Sequence, residues 1–422
     1  VLGKVLTWQG AFTYWSGRTD TAEQLVRNGL ALLRETAVAE KRNLADRAWA
    51  VLCLGVVRIH SGFDDDAVRL REQSLALYRA AEDEWGTALL LGALGVMARE
   101  SGAYDRAKRL GEESLALRRA VNDGWGTAAA LDALGWIANA RGKPEEAERL
   151  FREAIIIRQD IGTRGTALIS ELFALSWTLI QLGRFSEAHS VAQEALERCE
   201  DTGIRFFYPW ASWNLGEAKL HLGDYEGART QLQTGLDLLQ ESGEDRFLIA
   251  NLAAIGSVSV ALEAYPESCD YLEERITQVG EVQSWRVNYE LAVALTVLAY
   301  AAHSLRQTAK ARKYLCRALR PAMKTQNVFS GIQVLSAAAL IMADATECAE
   351  TEAVRAVELY ALVSRYPLVA NSRWYEDVVG KHIAAVAETL PPDEVAAAQD
   401  RGRALDLWET AEELLEGLHA PD

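Results

Sequence analysis

The chain repeats itself about every 40 residues, and this single property limits the fold more than anything else in the sequence. Glu84–Ala120 reads EWGTALLLGALGVMARESGAYDRAKRLGEESLALRRA, and forty residues on Gly124–Asp160 reads GWGTAAALDALGWIANARGKPEEAERLFREAIIIRQD. A Leu-Gly step recurs at Gly55, Gly95, Gly135 and Gly216, Gly256 takes the same slot, Ser176 replaces it once, and Gly10 fits one unit earlier. The intervals are 45, 40, 40, 41, 40 and 40 residues, and Ala299 and Ser336 hold the slot in two weaker units. A period of this length means one supersecondary unit stacked on its neighbours, not several unrelated domains.

Inside each unit the small residues keep fixed places. A second glycine follows seven residues after the anchor (Gly17, Gly62, Gly102, Gly142, Gly183, Gly223) and reads as the stop between two antiparallel helices. Twelve residues after the anchor stand Ala22, Ala67, Ala107, Ala147, Ala188, Ala228 and Ala311. Nineteen after it stand Gly29, Ser74, Ser114, Ala154, Ala195, Gly235 and Ala318. Small side chains at set points on both helices let backbones approach closely. Unit seven departs, with Glu263 at the turn, Ser268 and Arg275 in the small slots.

Composition agrees with helix and removes several functions. Half of the residues are hydrophobic, a quarter are charged, and only 8 are proline. With 44 basic and 60 acidic residues the net charge is −16, which argues against direct nucleic-acid binding. No apolar run reaches membrane-helix length and no signal-peptide pattern opens the chain, so no membrane partner is expected. Five cysteines without C-x-x-C spacing point to a reduced, cytoplasmic protein. No phosphate loop, G-x-G-x-x-G or G-x-S-x-G motif occurs, and the six histidines show no metal spacing. No catalysis, metal or cofactor is expected of this chain.

The repeat resembles the tetratricopeptide repeat, with its Leu-Gly step in helix A, a Gly-x-Tyr/Phe turn (Gly102-Ala103-Tyr104, Gly183-Arg184-Phe185, Gly223-Asp224-Tyr225) and an Ala-centred helix B. The resemblance covers about Val1–Tyr366 and implies an all-α, right-handed α-α superhelix of eight or nine helix pairs. Residues 367–422 leave the repeat and are expected to form a helical cap over the last pair. The sequence opens inside a helix-A pattern and is read as a fragment of a longer chain.

By the same resemblance, helix A lines the concave face at slots −6, −3, +1, +4 and +5 from the anchor. Those slots hold Trp49 and His60, Arg99, Asp132, Trp136 and Asn139, Phe173, Trp177 and Gln181, then Trp210, Trp213, Glu217 and His221. Tyr14 and Trp15 belong to unit one, and Tyr300 and His303 to unit eight. Six of the 12 tryptophans fall in these slots, which suits a partner-binding groove with an aromatic floor and interleaved polar groups. Filling of the joints between long helices is the other reading for Trp136, Phe173, Trp177 and Trp213. It is the preferred one for Trp85 and Trp125, each followed by Gly-Thr-Ala.

Phrases such as GEESLALRRA and REQSLALYRA, with the tail VELYALVSRYPLVANSRWYEDVVGKHIAAVAETLPPDE, are similar to the sensor region of bacterial STAND signal-transduction NTPases. That group includes NB-ARC-type transcriptional regulators. The resemblance implies a sensor that binds a peptide, protein or small effector and relieves autoinhibition of a nucleotide-binding domain elsewhere in the parent chain. A constitutive scaffold or adaptor with no switching role is the alternative.

Overall fold

The structure is a computed structural model describing residues 1–15, 18–35, 41–58, 65–163, 165–242, 247–264, 266–278, 285–344 and 349–419. All regular elements among the described residues are helical, as the repeat requires. Close packing divides the chain into two units, Val1–Ile137 with Ile156–Gly162 and Ala138–Ile155 with Thr163–Asp422.

The first unit contains α1 (Leu2–Trp15), α2 (Thr19–Glu35), α3 (Lys41–Arg58), α4 (Asp65–Ala80), α5 (Glu84–Glu100) and α6 (Tyr104–Ala120). Most of α7 (Gly124–Ala140) and the end of α8 (Pro144–Asp160) complete it. The small-residue slots are where the helices touch. A Cβ on Gly95 would lie 3.4 Å from the Ala107 carbonyl oxygen, so the anchor of helix A faces the alanine twelve residues on. The slot at +19 reaches further back. Ser74 Oγ donates to the Ala48 carbonyl and Ser114 Oγ to the Ala88 carbonyl, both at 2.7 Å, binding helix B to the N-terminal half of its own helix A.

The repeated Trp-Gly-Thr-Ala phrase is a helix start, and its tryptophans do not fill a joint. Asp83 accepts from Gly86 N at 2.9 Å, and Asp123 from Gly126 N at 2.8 Å, so each aspartate caps its helix. A Cβ on Gly86 would sit 2.2 Å from the Tyr78 ring. Trp85 and Trp125, one residue earlier, turn outward and are 50 % and 58 % exposed.

The second unit takes the start of α8, then α9 (Thr166–Gln181), α10 (Phe185–Thr202), α11 (Tyr208–Leu222), α12 (Tyr225–Ser242), α13 (Leu248–Ala261) and α14 (Pro266–Gln278). It continues through α15 (Trp285–Ser304), α16 (Thr308–Thr325), α17 (Val328–Ala343) and α18 (Ala349–Val363). Ser176 shows why serine can stand for the anchor glycine: its hydroxyl donates to the Ala188 carbonyl at 3.0 Å, at the same approach point. The turn slot is left-handed, with φ of 64° at Gly183 and 87° at Gly223. Where glycine is missing the conformation persists, and Glu263 and Arg306 adopt φ of 54° and 59°. Gly17 and Gly62 lie outside the described residues.

Residues 367–422 belong to the second unit and do two separate things. α22 (Pro392–Ala404) and α23 (Leu407–His419) lie on the last helix pair. Gly402 comes so near α18 that a Cβ would be 2.2 Å from the Glu358 carbonyl oxygen, and Arg401 Nε bonds Glu358 at 2.6 Å. The stretch before them, α19 (Pro367–Ala370), α20 (Arg373–Tyr375) and α21 (Lys381–Ala387), turns back along the repeats. Asn371 Nδ2 donates to the Gly183 carbonyl at 3.3 Å, Tyr225 Oη to Asp377 at 2.6 Å, and Trp374 Nε1 to the Ser257 carbonyl at 2.8 Å. A cap alone would not require those three bonds. No helix among the described residues is long and apolar enough to cross a membrane.

Candidate functional site

Five of the inner-slot residues named from the sequence meet at one cavity in the second unit. The helical spacing of four places Trp213, Glu217 and His221 on one face of α11, and Trp177 and Gln181 on one face of α9. α15 adds Tyr289 and Glu290, α17 adds Phe329 and Gln333, and Leu368 of α19 closes one side. The cavity volume is about 30 Å³, room for on the order of two water molecules.

Aromatic rings make much of its wall. Trp177 meets Tyr289 edge-on at 5.9 Å between centroids and lies 6.2 Å from Phe329. The charged groups differ in their pairing. Glu290 is buried and bonded to Arg286 at 2.6 Å, and burial lifts its carboxyl above the usual carboxylate range despite that cation. Glu217 has no Lys or Arg within ion-pair distance among the described residues; the His221 imidazole stands beside it, Nε2 to Oε2 at 3.6 Å. Burial, together with the Glu217 charge, pushes the Tyr289 hydroxyl well above its ordinary range.

Two buried polar groups on the wall lack a hydrogen bond in the protein. Gln181 is 4 % exposed and neither its amide oxygen nor its nitrogen is bonded, and Trp213 Nε1 is likewise unbonded. Such groups cost about 1–3 kcal/mol each when desolvated and unpaired. His221 is held in place: its Nδ1 is 2.8 Å from Ser372 Oγ, and its ring stacks on Phe185 at 4.6 Å.

The other inner-slot residues lie elsewhere. Phe173 and Trp210 form a ring cluster with Phe247 behind Trp213 of the cavity wall, Phe173 to Trp210 at 5.5 Å and Trp210 to Phe247 at 4.7 Å. Phe173, Trp177 and Trp213 are 3, 5 and 6 % exposed, so they form packed walls and not an open floor. Tyr300 is buried against Trp374 at 5.3 Å, and Asn139 Nδ2 donates to Thr178 Oγ1 at 2.8 Å.

In the first unit, Trp49 lies against Trp8, with ring centroids 4.8 Å apart and the planes tilted by 32°. Arg99 bonds Glu100 at 2.6 Å and lies 5.9 Å from the centre of the Trp136 ring. Burial raises the Asp132 carboxyl to about 6, against the opposing pull of Arg99 and Arg158. Trp15's side chain and all of His60 lie outside the described residues. No group of three or more His, Cys, Asp or Glu side chains able to hold a metal ion occurs among the described residues.

Slot reading by itself did not reach Tyr289, Glu290, Phe329 or Leu368. Gln333 stands at −3 from Ser336, so carrying the slots into unit nine would have found it.

Comparison with known proteins agrees with the repeat. A tetratricopeptide repeat family model matches residues 46–120 and 126–201. A search of the curated proteins returns no match. Among solved structures, the apo form of RapI is 13% identical, covers 75% of this chain and 100% of its own, and has a TM-score of 0.51. A Rap protein complexed with Competence and Sporulation Factor is 13% identical, covering 98% of this chain and 99% of its own at a TM-score of 0.50. The apo quorum sensor NprR from B. thuringiensis is 14% identical, covering 64% and 74% at 0.51. At these identities the likeness is one of fold. The described residues form an all-α array of helix pairs, and tetratricopeptide repeats are matched within it at 46–120 and 126–201.

Proposed function

We propose that this chain is a ligand-sensing repeat module whose second unit takes a peptide or protein segment at the cavity between α9, α11, α15 and α17. Binding there sets the state of a STAND-type nucleotide-dependent switch carried by the parent chain. The observation that carries the binding reading is the pair of buried, unbonded groups, Gln181 and Trp213 Nε1, beside the uncompensated carboxylate of Glu217. Each unpaired buried group costs free energy that a ligand can restore, and here two of them flank one cavity beside a carboxylate that has no Lys or Arg partner among the described residues. Support for the switching role comes from the tail phrase at 357–394, which resembles the STAND sensor region. Two solved structures of similar fold bear on ligand sensing: one is of a Rap protein complexed with Competence and Sporulation Factor, and the other is named a quorum sensor.

Selection of a random peptide library on the full chain tests the reading. Bound peptides should slow hydrogen exchange in α9, α11, α15 and α17. Peptides that protect only α1–α6, or a selection that retains none, would count against it.

A further inference from the structure

The wall of the cavity narrows the chemistry of what enters it. We infer that the cavity takes a primary ammonium group, supplied by a lysine side chain or by the free amino terminus of a peptide. This rests on the proposed ligand-sensing role and names the part of the ligand that is buried.

Charge comes first. Two carboxylates line the cavity, and Arg286 answers one of them, Glu290, at 2.6 Å. Glu217 is left with a histidine ring at 3.6 Å and no Lys or Arg partner among the described residues. An entering anion would face both carboxylates. A neutral apolar group would leave Glu217 without a Lys or Arg partner and Gln181 and Trp213 Nε1 unbonded. A cation gains at Glu217, and the faces of Trp177, Trp213, Tyr289 and Phe329 are electron-rich surfaces that attract a desolvated cation.

Size chooses among cations. A space of about 30 Å³ holds on the order of two waters, and an –NH3⁺ head is close to one water in volume. A planar guanidinium or a trimethylated ammonium needs more room than that.

Hydrogen bonding completes the match. An ammonium has three donors and no acceptor. The Glu217 carboxylate and the Gln181 amide oxygen accept, while the Gln181 NH2 and Trp213 Nε1 donate. Those two donors call for a carbonyl near the ammonium, which an amino-terminal residue carries on its own backbone, which a lysine-bearing ligand must bring from a second segment, and which a simple amine lacks.

The test uses peptides selected on the full chain, each remade with either its lysine Nε or its Nα acetylated. Blocking one of the two amines should weaken binding at least tenfold, and which one does so identifies the source. In Glu217→Gln the same acetylation should change affinity by less than threefold. Glu217→Asp, which keeps the charge, should retain most of the preference. Since Glu217 has no cation to lose, both variants should melt close to the parent chain. Selected peptides that bind equally well with both amines blocked would overturn the inference while leaving ligand sensing intact. So would full amine preference retained in Glu217→Gln. Retention of no peptide at all would remove the ligand-sensing reading, and this inference with it.

Discussion

The imidazole Nδ1 of His221 and the hydroxyl of Ser372 lie 2.8 Å apart, across 151 residues of chain. One end of that contact is an inner-slot residue of α11 beside the cavity. The other is the N-cap of α20, whose Oγ also accepts from Tyr375 N at 3.2 Å. The returning tail is therefore fastened to the wall of the candidate site itself.

Ser372→Ala removes both bonds, and the expected cost is about 1–2 kcal/mol, the scale of a lost cap. Hydrogen exchange should accelerate at amides 373–387 and stay unchanged in α1–α6. Unchanged protection at 373–387 would mean that the contact does not hold the tail.

Gly183→Ala and Gly102→Ala separate backbone strain from crowding. Both positions are left-handed, with φ of 64° and 79°. At Gly102 a Cβ meets nothing within 4 Å, so the cost should be about 1 kcal/mol from conformation alone. At Gly183 the same atom would fall 2.3 Å from the Pro367 carbonyl oxygen, so α19 must move as well. Thermal melting should place Gly183→Ala clearly below Gly102→Ala; equal melting would contradict the close approach of the tail.

Trp177→Ala and Trp213→Ala should each destabilise the second unit by about 3–5 kcal/mol, as truncation of a buried ring does. Trp85→Ala and Trp125→Ala, at half-exposed rings, should stay within about 1 kcal/mol. Urea unfolding of the four variants checks the contrast. Near-wild-type stability for Trp177→Ala would return that ring to an open surface.

Asp132 gives the first unit a pH dependence. Its folded-state carboxyl lies at about 6 against an ordinary 3.8, so the native state holds the proton more tightly than the unfolded chain. The resulting stabilisation is full below about pH 4 and disappears as pH rises through 6. Asp132→Asn should therefore be the more stable protein at pH 8, by on the order of 1–3 kcal/mol, and should lose that advantage near pH 4. A variant less stable than the parent at pH 8 would show that attraction to Arg99 and Arg158 outweighs burial.

Much of the fold could be read from spacing, because spacing is what stacking of helix pairs imposes. The anchor at Gly95 and the alanine at 107 are twelve apart in sequence because they touch in space. Ser176 was legible as an anchor from position alone, and its bond to the Ala188 carbonyl explains why the substitution works. The site was legible in part. Trp177, Trp213, Glu217 and His221 fell into slots defined by the strongest repeats. Tyr289 and Phe329 did not, since they stand ten residues before Ala299 and seven before Ser336, outside the inner slots. Burial of the inner rings was not legible. It depends on α15, α17 and the returning tail, and a segment that comes back over more than a hundred residues leaves no periodic trace. The outward turn of Trp85 and Trp125 was hidden for a different reason: a motif that repeats through helix capping looks the same in sequence as one that repeats through packing.

The bonds from Asn371 to Gly183, Ser372 to His221 and Trp374 to Ser257 tie one short stretch to three consecutive helix pairs. In an ordinary array each repeat knows only its neighbours, and melting spreads like a row of dominoes from a free end. Here the graph of contacts contains a closed circuit: from α9 along the repeats to α18, and back through the tail to α9. A circuit has no free end within it. The pairs α9–α10, α11–α12 and α13–α14 are thereby coupled to the carboxyl-terminal helices by a second route, so they should open as a single block and not by fraying one after another.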